Sequence, residues 1–234
     1  ILSEPQKHTA LGKIRTSTDY ASLANAQWVI EAATENLELK RRVLQQIAAH
    51  VDEQCVIASN TSSLSITELA AGVNAPERFI GLHFFNPVPV MGLIEVIRGL
   101  QTSDTTHAQA IELAQHLGKT AITAGNRPGF VVNRILVPMI NEAIYTLYAG
   151  VGSVESIDTA LKLGANHPMG PLELADFIGL DTCLSVMQVL YDGLADTKYR
   201  PCPLLVKYVE AGWLGRKSGK GFYDYSGDQP VPTR

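Results

Sequence analysis

A short stretch of the chain carries a hydroxyl cluster, an imidazole and a carboxylate, in that order. Ser62 lies in the run Ser-Asn-Thr-Ser-Ser, His83 comes just before two phenylalanines, and Glu95 stands between apolar residues. A carboxylate among buried apolar neighbours is costly unless a group pairs with it, and His83 is the obvious partner. An imidazole that a carboxylate orients and charges can take a proton from an oxygen, while a hydroxyl holds the substrate. The pattern therefore predicts proton transfer at an oxygen, with His83 as the base.

Short apolar runs at residues 55–58, 79–82 and 93–97 indicate strands that carry these groups or end beside them. Polar side chains at the ends of neighbouring strands converge on one edge of a sheet, where ligands bind in open α/β folds. Further strands and amphipathic helices are predicted, in chain order, at 28–33, 37–51, 104–117 and 120–123. Their alternation favours an α/β fold with a mostly parallel, doubly wound, Rossmann-like sheet.

Two glycines and a proline at residues 125–129 mark the predicted boundary between two domains. The expected division gives a sheet domain of residues 1–126 and an all-helical domain of residues 127–234. Helices of the second domain are predicted at 130–148, 154–163, 171–178, 181–191 and 203–211. The apolar surface of the first of these exceeds what one small domain needs, which predicts a homodimer. The tail from Gly227 onward is expected to be loose.

The amino-acid composition and charge limit the classes of partner that we expect. The 234 residues are 46% hydrophobic and 18% charged, which is ordinary for a globular protein. The formal net charge of −4 gives no indication of the basic surface that binds nucleic acid. The cysteines, at 55, 183 and 202, are too few and too scattered for a disulfide framework or a zinc site, so no metal is predicted. No apolar run has the length of a membrane span. These features predict a cytoplasmic protein with neither a nucleic-acid nor a membrane partner.

Several long segments, in the right order, resemble the signature segments of the 3-hydroxyacyl-CoA dehydrogenases. They are ASNTSSLSIT (58–67), GLHFFNP (81–87) and PGFVVNR (128–134). Two more, KLGANHPMGP (162–171) and GRKSGKGFY (215–223), are most similar to the bacterial 3-hydroxybutyryl-CoA members of that family. The resemblance covers nearly the whole chain.

The resemblance implies reversible NAD-dependent oxidation of a short-chain (3S)-3-hydroxyacyl-CoA to the 3-ketoacyl-CoA, in fatty-acid metabolism. His83 would take the proton of the C3 hydroxyl, and Glu95 would stabilise the imidazolium that forms. Ser62 would hydrogen-bond the substrate oxygen, and Asn133 would lie against the thioester or the hydroxyl. The alternative, purely structural roles are helix capping for Ser62 and a hydrogen bond across the domain junction for Asn133.

Carried over by motif, the residues expected to contact NAD are Ser62, Glu35, Lys40, Asn86 and Lys217. NADP is left open as the cofactor. Glu35 and Lys40 have an alternative interpretation as solvated charges at the start of a helix. Lys217 lies in a glycine-rich basic loop that suits an anionic ligand, although a plain turn has the same composition.

This sequence departs from the family pattern at two places. A dinucleotide-binding sheet begins with a Gly-x-Gly-x-x-Gly turn, and none precedes residue 28. We therefore expect at least about 30 further residues upstream, the size of one βαβ unit. The second departure is Gly92, where relatives often carry lysine.

Two other functions remain open. One keeps the fold and changes the substrate, as in a 3-hydroxyadipyl-CoA dehydrogenase of aromatic degradation. The other is a non-catalytic protein, like the lens crystallin that resembles this family. The complete set of Ser62, His83, Glu95 and Asn133 favours an enzyme.

Overall fold

The computed structural model describes residues 2–233. The chain forms two compact units that divide between Thr123 and Ala124. The sequence places the expected division between residues 126 and 127.

The first unit is built on a mixed sheet. Its helices and strands, in chain order, are α1 (Glu4–Leu11), β1 (Trp28–Glu31), α2 (Leu37–His50), β2 (Val56–Ser59), α3 (Ile66–Ala70), β3 (Phe79–Phe84), β4 (Leu93–Arg98), α4 (Asp104–His116) and β5 (Thr120–Gly125). The strands follow one another across the sheet in chain order, with β1, β2 and β3 parallel and β4 antiparallel to β3. Residues 85–92 join β3 to β4, and they are too few for the crossover of about a dozen residues that a parallel pair needs. The predicted Rossmann-like α/β sheet is confirmed, with a reversal of direction at β4.

The core of this unit lies around β2 and β3. Every residue of β2 and the first five residues of β3 are buried. Ala110 and Ala114 of α4 pack against them and against the buried side chains of β4. A strand covered on both faces has a continuous apolar sequence, which is why residues 55–58 and 79–82 appear as unbroken runs.

Local hydrogen bonds set where elements begin and end. The side chains of Asn36 and Ser65 each accept the backbone N–H three residues on, at 2.9 and 3.3 Å, and so open α2 and α3. The strand predicted over 28–33 ends at Glu31, because the carboxylate of Glu31 accepts the N–H of Ala33 at 2.8 Å and turns the chain.

The second unit is helical with a short hairpin. Its elements are α5 (Val132–Tyr148), α6 (Val154–Gly164), α7 (Pro171–Ile178), α8 (Leu180–Leu194), α9 (Pro203–Glu210), β6 (Tyr223–Asp224) and β7 (Val231–Pro232). The predicted helix 130–148 begins at Val132 because Gly129 and Phe130 have φ values of 73° and 48°, which do not continue a helix. The prediction of a loose tail is wrong: β7 pairs with β6, and Thr233 donates its N–H to the carbonyl of Phe222 at 2.9 Å.

Two buried carboxylates tie the 215–223 loop and the helices together. Asp158 accepts the first two N–H groups of α7 at 2.8 and 3.0 Å. Asp176, within α7, accepts the N–H groups of Phe222 and Tyr223 at 3.0 and 2.9 Å. Burial raises the pKa of Asp176 against the opposing effect of these backbone donors. The loop that carries Lys217 is thereby attached to α7.

Over residues 2–233, no single helix combines the length and the apolarity needed to cross a membrane. Only α7 and α8 taken together reach both, and they are bent by 96° where they meet.

Candidate active site

His83 and Glu95 are direct partners across the antiparallel pair β3–β4. The register places the two residues opposite each other, so their side chains leave the sheet on the same face. His83 Nδ1 lies 2.7 Å from Glu95 Oε2. Both residues are buried, with 4% of His83 and none of Glu95 exposed. An ionised carboxylate only accepts hydrogen bonds, so Nδ1 of His83 is the donor and Nε2 of the neutral ring is left as an acceptor.

Ser62 approaches the other side of the same imidazole. Its Oγ lies 3.1 Å from His83 Nε2, within hydrogen-bond reach. Ser62 belongs to the loop 60–64, which joins β2 to α3, and Asn60 at the start of that loop accepts the N–H of Phe84 at 2.9 Å. The end of β2 is thus attached to the end of β3. The structure brings together Ser62, His83 and Glu95, the first three residues of the predicted catalytic set.

Glu35 contacts the same loop from the turn between β1 and α2. Its carboxylate accepts the hydroxyl of Thr61 at 2.8 Å, the N–H of Ser62 at 2.7 Å and the hydroxyl of Ser63 at 3.4 Å. The sequence predicts Glu35 as a cofactor contact or as a solvated charge at the start of a helix. Nothing in the sequence relates Glu35 to a loop 27 residues further on, because the two meet only when β1 and β2 pair.

Lys40 is not a solvated charge. Its ammonium pairs with the carboxylate of Glu31 and lies 3.3 Å from the hydroxyl of Ser59, and 1% of its side chain is exposed. Glu31 Oε2 also accepts the hydroxyl of Ser59 at 2.9 Å. A buried ion pair needs such additional hydrogen bonds to offset its desolvation. The interpretation of Lys40 as a surface charge is therefore wrong, and its contact with NAD stays a prediction.

The loop 85–92, between His83 and Glu95, carries the predicted cofactor residue Asn86, which is exposed. Lys119 donates from Nζ to the carbonyls of Val88 and Met91, at 2.6 and 2.7 Å. These two charge-assisted bonds hold the loop against the start of β5. The sequence does not reveal this role of Lys119, since a lysine before a strand has no distinguishing pattern.

Asn133 and Lys217 lie in the second unit. Asn133 is half-buried in the first turn of α5. Lys217 Nζ lies 2.5 Å from Asp181 Oδ1, in the first turn of α8. Burial disfavours the ionised form of Asp181, but the bond from the Lys217 ammonium and nearby backbone N–H groups outweigh it and lower the pKa of this carboxyl. The roles of Asn133 at the substrate and of Lys217 at the cofactor stay predictions.

The edge of the sheet where His83 lies fits a dinucleotide by its chemistry. The parallel strands β1, β2 and β3 end here, and in open α/β sheets dinucleotides bind outside the carboxyl ends of the strands. Glu35 and the residues of the loop 60–64 supply carboxylate, amide and hydroxyl groups at this edge. Within residues 2–233, histidine, cysteine, aspartate and glutamate nowhere gather in groups of three that would hold a metal ion.

Comparison with known families gives two matches that together span almost the whole chain. Residues 1–127 match the model described as "3-hydroxyacyl-CoA dehydrogenase, NAD binding domain". Residues 129–225 match the model described as "3-hydroxyacyl-CoA dehydrogenase, C-terminal domain".

Individual relatives agree with the family match. A 3-hydroxybutyryl-CoA dehydrogenase of Bradyrhizobium diazoefficiens is 60% identical over 234 residues, which are 100% of this chain and 80% of the relative. A probable 3-hydroxybutyryl-CoA dehydrogenase of Bacillus subtilis is 56% identical over 95% of this chain and 78% of its own length. The crystal structure of (S)-3-hydroxybutyryl-CoA dehydrogenase from Ralstonia eutropha has a TM-score of 0.93 at 60% identity, covering 97% of this chain and 80% of that one. The protein therefore belongs to the 3-hydroxyacyl-CoA dehydrogenase family, as an NAD-dependent oxidoreductase acting on a CH–OH group.

Proposed function

We propose that the protein catalyses the NAD-dependent interconversion of short-chain (3S)-3-hydroxyacyl-CoA and 3-ketoacyl-CoA, with 3-hydroxybutyryl-CoA as its main substrate. The observation that carries this proposal is the imidazole of His83 held between Glu95 and Ser62, at 2.7 and 3.1 Å. The names of the relatives support the short acyl chain. The proposed compartment is the cytoplasm.

Oxidation of the C3 alcohol removes one proton and one hydride. NAD supplies the hydride acceptor. Nε2 of His83 takes the hydroxyl proton, because Nδ1 is already donating to Glu95. The Ser62 hydroxyl, which can donate as well as accept, holds the substrate oxygen next to Nε2. Glu95 stays ionised and stabilises the imidazolium, so the proton rests on His83 until solvent removes it.

The remaining predicted residues are assigned to the substrate or the cofactor. Asn133 binds the thioester or the C3 oxygen, as its amide can donate and accept at once. Glu35 on the β1–α2 turn, Lys40 in α2, Asn86 on the loop 85–92 and Lys217 on the second unit are assigned to NAD. In the reverse reaction the same groups work in the opposite order, with His83 donating the proton.

A substrate series tests this function. The enzyme should reduce acetoacetyl-CoA with NADH, and kcat/KM should fall by about tenfold or more for a 3-ketoacyl-CoA with several further methylenes and for 3-ketoadipyl-CoA. NADPH should be a poorer donor than NADH. A preference for 3-ketoadipyl-CoA would favour the dehydrogenase of aromatic degradation instead. Absence of turnover with every member of the series would contradict the proposal.

We also propose that the protein is a homodimer joined through the second unit. An open groove of about 550 Å³ lies between α5 and α6, with apolar side chains that include Met139, Ala143 and Ile157. Val151 beside it is 77% exposed, and such an apolar surface is typical of an interface. Light scattering should give a mass near twice the 25.3 kDa of this chain. A monodisperse monomer at micromolar concentration would contradict the dimer.

A further inference from the structure

The loop that carries Ser62 is held by one carboxylate. Thr61 Oγ1, Ser62 N and Ser63 Oγ all donate to Glu35, at 2.8, 2.7 and 3.4 Å. Thr61 Oγ1 in turn accepts the N–H groups of Ser63 and Leu64 at 3.2 and 2.9 Å. Glu35 therefore fixes the loop directly at three consecutive residues and, through Thr61, at a fourth.

An ionised carboxylate matches these three donors. It accepts on both oxygens and donates from neither, so it can satisfy a hydroxyl, an amide and a second hydroxyl together. Bonds to a charged acceptor are stronger than bonds between neutral groups, and two of the three distances are below 2.9 Å. An amide side chain at position 35 has one acceptor oxygen and would turn its NH₂ group toward a donor.

Ser62 links this anchor to the imidazole. Its N–H is bound to Glu35 Oε1 and its Oγ lies 3.1 Å from His83 Nε2. A catalytic hydroxyl must be held to within a fraction of an ångström of its working position to contribute fully. Glu35 restrains the backbone of Ser62 in this way, and Ser62 is the residue whose hydroxyl contacts the imidazole.

The anchor is itself rigidly placed. Glu35 directly precedes Asn36, whose side chain accepts the N–H of Leu39 at 2.9 Å and opens α2. Just before it, the buried pair of Glu31 and Lys40 fixes the end of β1 to α2. Glu35 thus stands on a turn that is secured on both sides.

We propose that Glu35 is a positioning residue for Ser62, in addition to the cofactor contact assigned to it above. Its carboxylate sets the Ser62 hydroxyl against His83, so its effect on turnover passes through Ser62. This inference rests on the proposed function for its kinetic consequence, but not for its structural one.

A double-mutant cycle tests the kinetic consequence, with kcat measured at saturating NADH and acetoacetyl-CoA so that cofactor affinity does not enter. Glu35→Ala should lower kcat by about tenfold, the loss of roughly one charge-assisted hydrogen bond. In a Ser62→Ala background the same change should lower kcat by less than about twofold. Glu38→Ala is the matched control, because Glu38 is three residues away, is exposed and bonds only to Arg41 in the described contacts. An equal loss in both backgrounds would overturn the inference, as would no loss in either.

Hydrogen exchange tests the structural consequence without any turnover. The amides of Ser62, Ser63 and Leu64 should exchange at least about tenfold faster in Glu35→Ala, and at the wild-type rate in Glu38→Ala. Unchanged exchange at these amides would overturn the inference and leave the proposed function in place. An inactive wild type would refute the function alone, since the exchange result would still decide the role of Glu35. If Glu35→Ala does not fold, both measurements are made on Glu35→Gln, which keeps the size of the side chain.

Discussion

At the scale of single residues, the site depends on each polar group having a fixed task. Glu95 is fully buried and accepts from Nδ1 of His83, which leaves Nε2 facing Ser62. The sequence predicts this pairing because a glutamate inside an apolar strand needs a partner. It does not predict the bonds of Glu35 or the burial of Lys40, because charged residues near a helix start look the same whether they face solvent or another strand.

Replacing Glu95 by Gln should lower kcat by about 100-fold while leaving the fold intact. The amide keeps a hydrogen bond to Nδ1 but no longer carries the negative charge that stabilises the imidazolium. The KM for acetoacetyl-CoA should change by less than about threefold, because the substitution does not touch the groups proposed to hold the substrate. Steady-state kinetics together with a thermal unfolding curve check this. Full activity in a folded Glu95→Gln variant would make the carboxylate merely structural.

At the scale of elements, the reversal between β3 and β4 places the site. An antiparallel return puts His83 opposite Glu95, whereas residues twelve apart on parallel strands would need a crossover between them. Apolar runs and amphipathic periodicity predict the strands of the first unit and most of the helices. β1 ends before its predicted end because of a side-chain bond at Glu31, and α5 begins after its predicted start because Phe130 is left-handed. Neither feature has a periodic signal in the sequence.

The close packing of α3 on this part of the sheet depends on Gly81. A Cβ at Gly81 would lie 2.8 Å from the side chain of Ile66 and 2.9 Å from that of Ile97. Because Ile66 is fully buried and would have to shift to relieve this overlap, Gly81→Ala should lower the free energy of unfolding by about 1–3 kcal/mol. Urea unfolding measures the difference.

The control for this change is Gly92→Ala. A Cβ at Gly92 would meet no atom within 4 Å, so the free energy of unfolding should change by less than about 0.5 kcal/mol. Equal stability of the Gly81 and Gly92 variants would show that α3 adjusts without cost.

At the scale of the whole molecule, the two units differ in what their buried polar groups do. In the first unit, Glu95 pairs with His83 at the site, and Glu31, Lys40 and Ser59 form a second buried cluster. In the second unit, Asp158 and Asp176 hold loops and accept the hydroxyls of Tyr223 and Tyr225 at 2.8 and 3.0 Å. The sequence predicts the helices of this unit but not these bonds, because they join residues 49 and 65 positions apart.

These contacts give stability a predictable dependence on pH. Burial is the main cause that raises the pKa of Tyr223, and the hydrogen bond to Asp158 is the second. Burial is also the main cause that raises the pKa of Tyr225, followed by the charge of Asp176. The folded state therefore keeps both phenol protons above about pH 10, where the unfolded chain begins to release them. Their contribution to the free energy of unfolding is complete below about pH 10 and is lost as the pH rises further. Urea unfolding between about pH 8 and 11 should show a shallower alkaline decline in Tyr223→Phe than in the wild type, and identical slopes would contradict this.

The most direct test of the account is the turnover of a His83→Gln variant in the reduction of acetoacetyl-CoA by NADH. Glutamine approximates the size of the imidazole and some of its hydrogen bonding but cannot take or give the proton. With the variant shown to be folded by circular dichroism, kcat should fall by about 100-fold or more, and the affinity for the CoA ester should change little. Turnover close to that of the wild type would mean that His83 is not the proton acceptor, and that the arrangement of Ser62, His83 and Glu95 serves some other purpose.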